Sequence, residues 1–505
     1  MKHLTFPTLF ALSLTALVSS ALFAETIKTE KQVAKGVTYL QEIQEASPGI
    51  SPRILNLLRI DLKEPGVKLQ YSQSHDVIGY EGEHKGRESL QTMAIRNRAI
   101  GGVNGDFAAF TGDPLGLGIL DGELISEPMD FRACIAMMED RIEIGVMTGE
   151  GLVQIGEKKV PVLLNGVNRI PQEGEIIIET PRFAGAVISH KAGIIVQLGE
   201  VNLPLKVSEE LTGKVEAVYP LERNEPIPPC PRDKVLLIGY AGTGTSLGQK
   251  TTRGDMMTIK FEISPNVSAP SRGKYPSRAG RVNRGVRREP TWKDAKQVIG
   301  GGPWLVKEGK ISIDYEAEGF DEASFVSKRH PRTAFGVTKD GKVLLLTVDG
   351  RDSWSAGASL HELAQIMLKF GAVNAINLDG GGSTSMFVGG GIVNAPSDGR
   401  LRPLANSLLL FGDPLDTPDL DNPRIEPNSE SGNTFHLNDR LTFHVVQGDG
   451  SPLPAGVSVI WGTEDGLGFI TQGGAFRSHH TGKGTVVARV GNRVLRAPVS
   501  ITSGR

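Results

Sequence analysis

Two stretches decide how this chain folds: KVLLLTVDGR (342–351) and SLHELAQIMLKFGAVNAINLDGGGST (359–384). Lys342 to Val348 is a continuous apolar run, which predicts a strand covered on both faces. Ser359 to Phe370 reads as an amphipathic helix. Ser359 caps it, Leu360, Leu363, Ile366, Met367 and Phe370 form its apolar stripe, and Gly371 ends it. Val373 to Leu378 predicts a second strand. Strand, helix, strand in that order favours a right-handed crossover between parallel strands. Asp349 and Asp379, each just past a strand, then emerge at one sheet edge, where open α/β sheets build ligand sites.

The residues just after each aspartate suit phosphate. Gly380, Gly381 and Gly382 let backbone amides approach an anion closely. Ser383 and Thr384 add hydroxyl donors, and Arg351 offers a planar fork. Each Asp-Gly pair alone is ordinary turn punctuation. Together with Arg351 and three glycines before Ser-Thr they form a set that joins acids to phosphate donors. The glycines lead into no Gly-Lys-Ser/Thr, so this is not a P-loop. A third element is Gly101-Gly102-Val103-Asn104-Gly105-Asp106-Phe107, which places Asn104 and Asp106 in a Gly-rich turn. A fourth is His330-Pro331-Arg332-Thr333-Ala334, which leads into another strand and offers Arg332 as a second phosphate ligand. His330 reads as simply exposed.

The chain has 505 residues and 39% hydrophobic content, enough for two or three domains with real cores. With 62 Gly and 6% aromatic residues, turns and strands should dominate. A net charge of -2 and a pI near 6.6 give no reason to expect nucleic acid as a partner. Lys2 and His3, the apolar run Leu4 to Val18, and small residues at Ser19, Ser20, Ala21 and Ala24 form a secretory signal pattern over 1–24. The run is short for a spanning helix of ~20 residues. The expectation is therefore a secreted or periplasmic protein with no membrane span after signal removal. Cys134 and Cys230 either pair in an oxidising compartment or stand as isolated buried thiols.

The expected organisation is an α+β fold. A β-rich catalytic domain (36–412) carries the strand-helix-strand site element. An acidic, Pro-rich linker (413–424) leads to a C-terminal Ig-like β-sandwich (425–505). In that tail Leu441–Val446, Val457–Trp461 and Thr485–Val490 alternate as strands do. Ser264 to Pro290 lacks periodicity, is strongly basic, and reads as a long exposed loop.

The motifs Asn104-Gly105-Asp106-Phe107, Pro331-Arg332-Thr333-Ala334, Val348-Asp349-Gly350-Arg351 and Asn377-Leu378-Asp379-Gly380-Gly381-Gly382-Ser383 resemble, in this order, the phosphodiester glycosidase family. Gly300-Gly301-Gly302-Pro303-Trp304 and Val393-Asn394-Ala395-Pro396, then Arg402 and Asn406, extend the resemblance across about Tyr39 to Phe411. Ala108 departs from the pattern, since a second aromatic or similar residue is expected there. The resemblance implies an exported hydrolase that cleaves sugar-1-phosphodiesters, with a phosphorylated glycan or sugar phosphodiester as substrate. Such cleavage needs a carboxylate near the anomeric carbon and donors for the departing phosphate. Asp349, Asp379 and Asp106 are the catalytic candidates, with Asp379 or Asp349 as base or nucleophile. Arg332, Thr333, Arg351, Gly380, Gly381, Gly382, Ser383 and Thr384 would hold phosphate, and Asn104, Asp106 and Asn394 sugar hydroxyls. No cofactor is implied, and a divalent cation such as Ca²⁺ on Asp106, Asp349 and Asp379 has no ligand spacing behind it. The alternative reading is a non-catalytic binding protein for phosphorylated polysaccharide.

Overall fold

The structure, a computed structural model, describes residues 26–503 apart from 80–83, 85, 110, 111, 186, 241, 267–291, 417, 430–433, 438, 440 and 479. The expected signal peptide and nearly all of the basic loop lie outside the described residues. Among the described residues no helix is long and apolar enough to cross a membrane.

The Val343–Val348 strand lies inside an eight-stranded antiparallel sheet. Its order is Thr26–Ala34, Val37–Gln44, Arg53–Ile60, Val343–Val348, Arg332–Thr338, Ala372–Asn377, Trp304–Lys307, Lys310–Ile311. The strand's apolar run divides by alternation. Leu344, Leu346 and Val348 pack under the Leu360–Lys369 helix with Leu55, Leu57, Leu360, Leu363 and Met367. Val343 and Leu345 face the opposite core, shared with Val103, Met386, Leu408 and Leu410 of a second sheet. The helix begins on a capping box: Ser359 Oγ accepts from the Glu362 amide, and the Glu362 carboxylate accepts from the Ser359 amide.

The crossover differs from the expected one in its neighbours. Val343–Val348 and Ala372–Asn377 both run antiparallel to Arg332–Thr338, which lies between them. They therefore point the same way without pairing. The ends that carry Asp349 and Asp379 still reach one edge of the sheet, flanking the start of the Arg332 strand.

A twelve-stranded sheet from the middle of the chain, including Ala133–Met137 and Gln297–Gly300, closes the other side. Cys134 and Cys230 are both buried and unbridged, so they are isolated thiols. The tail is less separate than its sequence predicts. Its strands form two layers over one core, with Phe443, Phe476, Trp461 and Val486 among the residues between them. One layer continues the nine-stranded sheet of the preceding region, through the pairing of Ile392 with Thr463. The expected linker is pinned at both ends: Pro414 bridges to Ala34, and Leu420 is buried in the tail core. The expected Val457–Trp461 strand lies later, at Ile460–Glu464.

Candidate active site

The Gly101–Asn104 strand brings the third motif to the same edge. The Asp379 amide donates to Gly105 O at 3.0 Å, and Asn104 Nδ2 donates to Asp379 O at 2.6 Å. Asp106 is thereby fixed one residue from the backbone that holds Asp379. Its carboxylate accepts from the amides of Phe107 and Gly116, each at 2.7 Å, and its own amide donates to Asn406 Oδ1 at 2.7 Å. Gly300 lies so close to Asp106 Oδ2 that a Cβ there would collide with it. A glycine at 300 is what gives the carboxyl its place.

Burial raises the Asp106 pKa to about 7, and the Asp379 carboxylate adds to the rise against Arg132 and the two amides. Burial raises Asp379 as well, opposed by a Ser383 hydrogen bond, the Gly380 amide and the charges of Arg402 and Arg132. Both carboxyls are thus harder to ionise than a free carboxyl.

Arg132 joins them. Its guanidinium carbon lies 4.5 Å from the Phe320 ring centre and 5.1 Å from that of Phe107. Contact with both aromatic rings holds the cation in the site while its charge acts on both aspartates. Behind it Glu318 is buried, accepts from the amides of Trp304 at 2.8 Å and Ala133 at 2.9 Å, and is raised by burial to about 7. On the glycine side, Arg351 lies over Gly381, with 3.0 Å between its Nη2 and the place a Cβ would take. Arg402, ion-paired to Asp398 at 2.8 Å, lies over Gly382, and a Cβ there would push the Arg402 and Asp398 side-chain ends aside.

Several expected ligands serve the scaffold instead. Asp349 is 1% exposed, and its carboxylate accepts from Asn394 Nδ2 at 3.1 Å and the Ala395 amide at 2.9 Å. It anchors the 394–395 segment, which corrects its assignment as base or nucleophile. Asn394 is held in turn by the Met386 amide at 2.8 Å and Thr384 O at 3.1 Å, so both donors of its buried side chain are taken. Asn104 likewise accepts from Thr333 Oγ1 at 2.7 Å and the Ser385 amide at 3.1 Å, which turns both Asn104 and Thr333 inward. Arg332 is 1% exposed and donates to Ala358 O at 2.9 Å, Lys328 O at 3.1 Å and Phe325 O. It is a brace and not a phosphate ligand, and burial lowers its pKa to about 10.

The glycine turn also uses its amides internally. Gly380 donates to Asp379 Oδ1, Gly381 to Pro331 O, Ser383 to Gly380 O and Thr384 to Gly381 O. The turn shapes the floor on which Arg351 and Arg402 lie, rather than forming an open nest of donors. Ser383 acts on Asp379, and Thr384 Oγ1 is buried with no hydrogen-bond partner. Among the described residues no three His, Cys, Asp or Glu side chains converge as a metal-binding group. Asp106, Asp349 and Asp379 do not gather into a cation site.

The residues missed from sequence are Arg132, Phe107, Phe320 and Glu318. Arg132 precedes an apolar strand just as Arg332 does, and that shared grammar was the one available signal. One consequence concerns stability. Asn394→Ala removes a partner from buried Asp349 and from the Met386 amide, so it should cost roughly 2–4 kcal/mol in urea unfolding. Substitution of exposed Arg351 should leave unfolding within about 0.5 kcal/mol of wild type.

The charge of Arg132 acts on both carboxyls and that of Arg402 on Asp379, with Arg351 lying over the adjoining Gly381. Residues 249–411 match the phosphodiester glycosidase family. A SPbeta prophage-derived protein of Bacillus subtilis (strain 168), YomE, is 33% identical over 151 residues, which cover 30% of this chain and 22% of that protein. The N-acetylglucosamine-1-phosphodiester alpha-N-acetylglucosaminidase of Bos taurus is 39% identical over 110 residues, 20% of this chain and 21% of the enzyme. The chain thus spans about a fifth of the length of these relatives. A Burkholderia pseudomallei protein of solved structure shares the fold with a TM-score of 0.58 and 18% identity, over 80% of this chain and 100% of that one. The family likeness lies in that matched segment.

Proposed function

We propose that this chain hydrolyses sugar-1-phosphodiesters at the anomeric carbon, with Asp379 and Asp106 as its working carboxyls. The observation that carries the proposal is their joint placement. Both hang from the Asn104–Asp106 backbone beside Arg132, with Arg351 and Arg402 on the adjoining glycine floor. In the reaction the bond between the anomeric carbon and the phosphate oxygen breaks, and the phosphate monoester leaves with the bonding electrons. Water supplies the new hydroxyl and gives up its proton. Phosphate is a good leaving group, so the main demand is for negative charge beside the developing oxocarbenium ion. Asp379, whose rise on burial is opposed by Ser383, the Gly380 amide and two arginines, supplies that charge. Asp106, with a pKa near 7, takes or gives the proton. The arginines stabilise the departing phosphate.

The Bos taurus relative is named for an N-acetylglucosamine-1-phosphodiester substrate, which favours an amino sugar here. We further place the reaction outside the cytoplasm, on an envelope or extracellular glycan, because of the signal pattern over 1–24. The two-layered tail is proposed as an Ig-like module. The test is UDP-N-acetylglucosamine and a panel of other sugar-1-phosphodiesters, given to the mature chain and to Asp379→Asn. Free sugar from the wild type alone is expected. No release from any panel member, with tight binding of a phosphorylated glycan, would move the protein to the class of binding proteins.

A further inference from the structure

His330 does more than its expected exposed position suggests. Its Nε2 lies 2.9 Å from Ser324 O, and its Nδ1 lies 3.2 Å from Arg351 Nη2. A carbonyl oxygen only accepts and a guanidinium only donates. Both contacts are hydrogen bonds in one protonation state alone: neutral imidazole with its proton on Nε2 and its lone pair on Nδ1. Protonation of Nδ1 would replace an acceptor with a donor and set a second cation against Arg351.

The frame of this ring is fixed. His330 pairs with Ala358 through N–H···O contacts of 3.2 and 3.0 Å, and Ser324 belongs to the Glu322–Val326 helical turn. The charged groups acting on the ring are all cations: Arg332 and Lys328 from its own segment, and Arg351 from the loop after the Val343–Val348 strand. Burial favours the neutral ring, the hydrogen bond to Ser324 O opposes it, and these three charges add to burial, so the His330 pKa is lowered. Arg351 itself has a positive φ of 65° and lies against Gly381, so its backbone and guanidinium are both constrained.

We propose that His330 is a positioning residue, whose neutral Nε2–H tautomer aims the Arg351 guanidinium at the phosphate of the substrate. The proposal rests on the phosphodiester reading of the site and names what orients one of its phosphate ligands. Its consequence is a loss of substrate affinity in acid, as the ring gains a proton and releases Arg351. That loss is separate from the titration of Asp106 and Asp379, which acts on turnover.

The experiment compares the mature wild type with His330→Ala and His330→Asn. Asparagine keeps an acceptor near the Nδ1 position but does not titrate. His330→Ala should raise KM for UDP-N-acetylglucosamine about tenfold with kcat nearly unchanged. His330→Asn should recover most of that loss and remove the acid limb of the KM profile. Nitrogen-15 NMR, with the ring assigned by its absence from His330→Asn, should show an unprotonated Nδ1 and a protonated Nε2 near pH 7. An imidazolium or Nδ1–H tautomer, or an unchanged KM in His330→Ala, would overturn the proposal. If the wild type releases no sugar from any phosphodiester, the functional reading has failed. The NMR tautomer, with inorganic phosphate titrated into wild type and His330→Ala, then still decides the role of His330. Equal phosphate affinity in the two would count against it.

Discussion

Asp379→Asn should lower kcat/KM for a sugar-1-phosphodiester by roughly 10³-fold, within the range for loss of a group that moves a proton or carries charge in the transition state. The fold should survive, because the Asp379 contacts that fix the backbone are made by its amide and carbonyl, to Gly105 and Asn104. Asparagine keeps an acceptor for the Gly380 amide. The loss should fall on kcat, since Arg351 and Arg402 on the glycine floor remain to hold phosphate. The contrasting substitution is Asp349→Asn. Its carboxylate faces Asn394 and the Ala395 amide, away from solvent. It should therefore lose stability first, and activity only as the 394–395 segment loosens. Parallel kinetic and urea measurements on the two variants separate them. Equal turnover defects at equal stability would return Asp349 to the reacting group.

The second large effect is on stability against pH. In the unfolded chain Asp106 ionises with an ordinary pKa of 3.8, and in the folded chain burial lifts it to about 7. Between those values the folded state holds a proton that the unfolded state has released. Stability from this group is thus fully present below about pH 4 and is lost as pH rises through 7. Glu318, raised to about 7 from 4.5, contributes with the same sign. Glu362 acts the other way and in a lower window. Burial opposes its ionisation, but hydrogen bonds from Arg329 and the Ser359 amide hold it at about 2, so its contribution is lost as pH falls below about 4.5. Asp106→Asn leaves the Phe107 or Gly116 amide without its acceptor at every pH, but it removes the penalty of ionising the buried carboxyl, so its loss of stability relative to wild type should be smaller at pH 7.5 than at pH 4, by roughly 2–4 kcal/mol at most. It should also abolish most activity at either pH. Urea midpoints at the two pH values check this. An Asp106→Asn deficit that is the same at both pH values would contradict the raised pKa of Asp106.

The sequence made the central elements legible because each carries a local signal. The Ser359 cap, the stripe to Phe370 and Gly371 specify the helix within a residue, and Leu344, Leu346 and Val348 face it as alternation requires. The shared edge for Asp349 and Asp379 was also legible. The strand between them was not, because Arg332–Thr338 comes earlier in the chain and only long-range pairing inserts it. Site roles were harder still. Asp349-Gly350 and Asp379-Gly380 look alike as text. What parts them is that Asn394 and Ala395, some 45 residues later, close over one and leave the other beside Asp106. Arg132 and Arg332 are both arginines before apolar strands. One lies against the rings of Phe107 and Phe320, and the other is tied to three carbonyl oxygens. Such differences arise from partners distant in sequence, which no local pattern encodes.

The most direct test of the central claim, cleavage at the anomeric carbon, is hydrolysis in water enriched in oxygen-18. With the wild-type chain and UDP-N-acetylglucosamine or an active member of the panel, the label should enter the hydroxyl of the released sugar and leave the phosphate product unlabelled. Label in the phosphate would mean that water attacks phosphorus, and the carboxyl pair at Asp106 and Asp379 would then belong to a phosphodiesterase rather than a glycosidase.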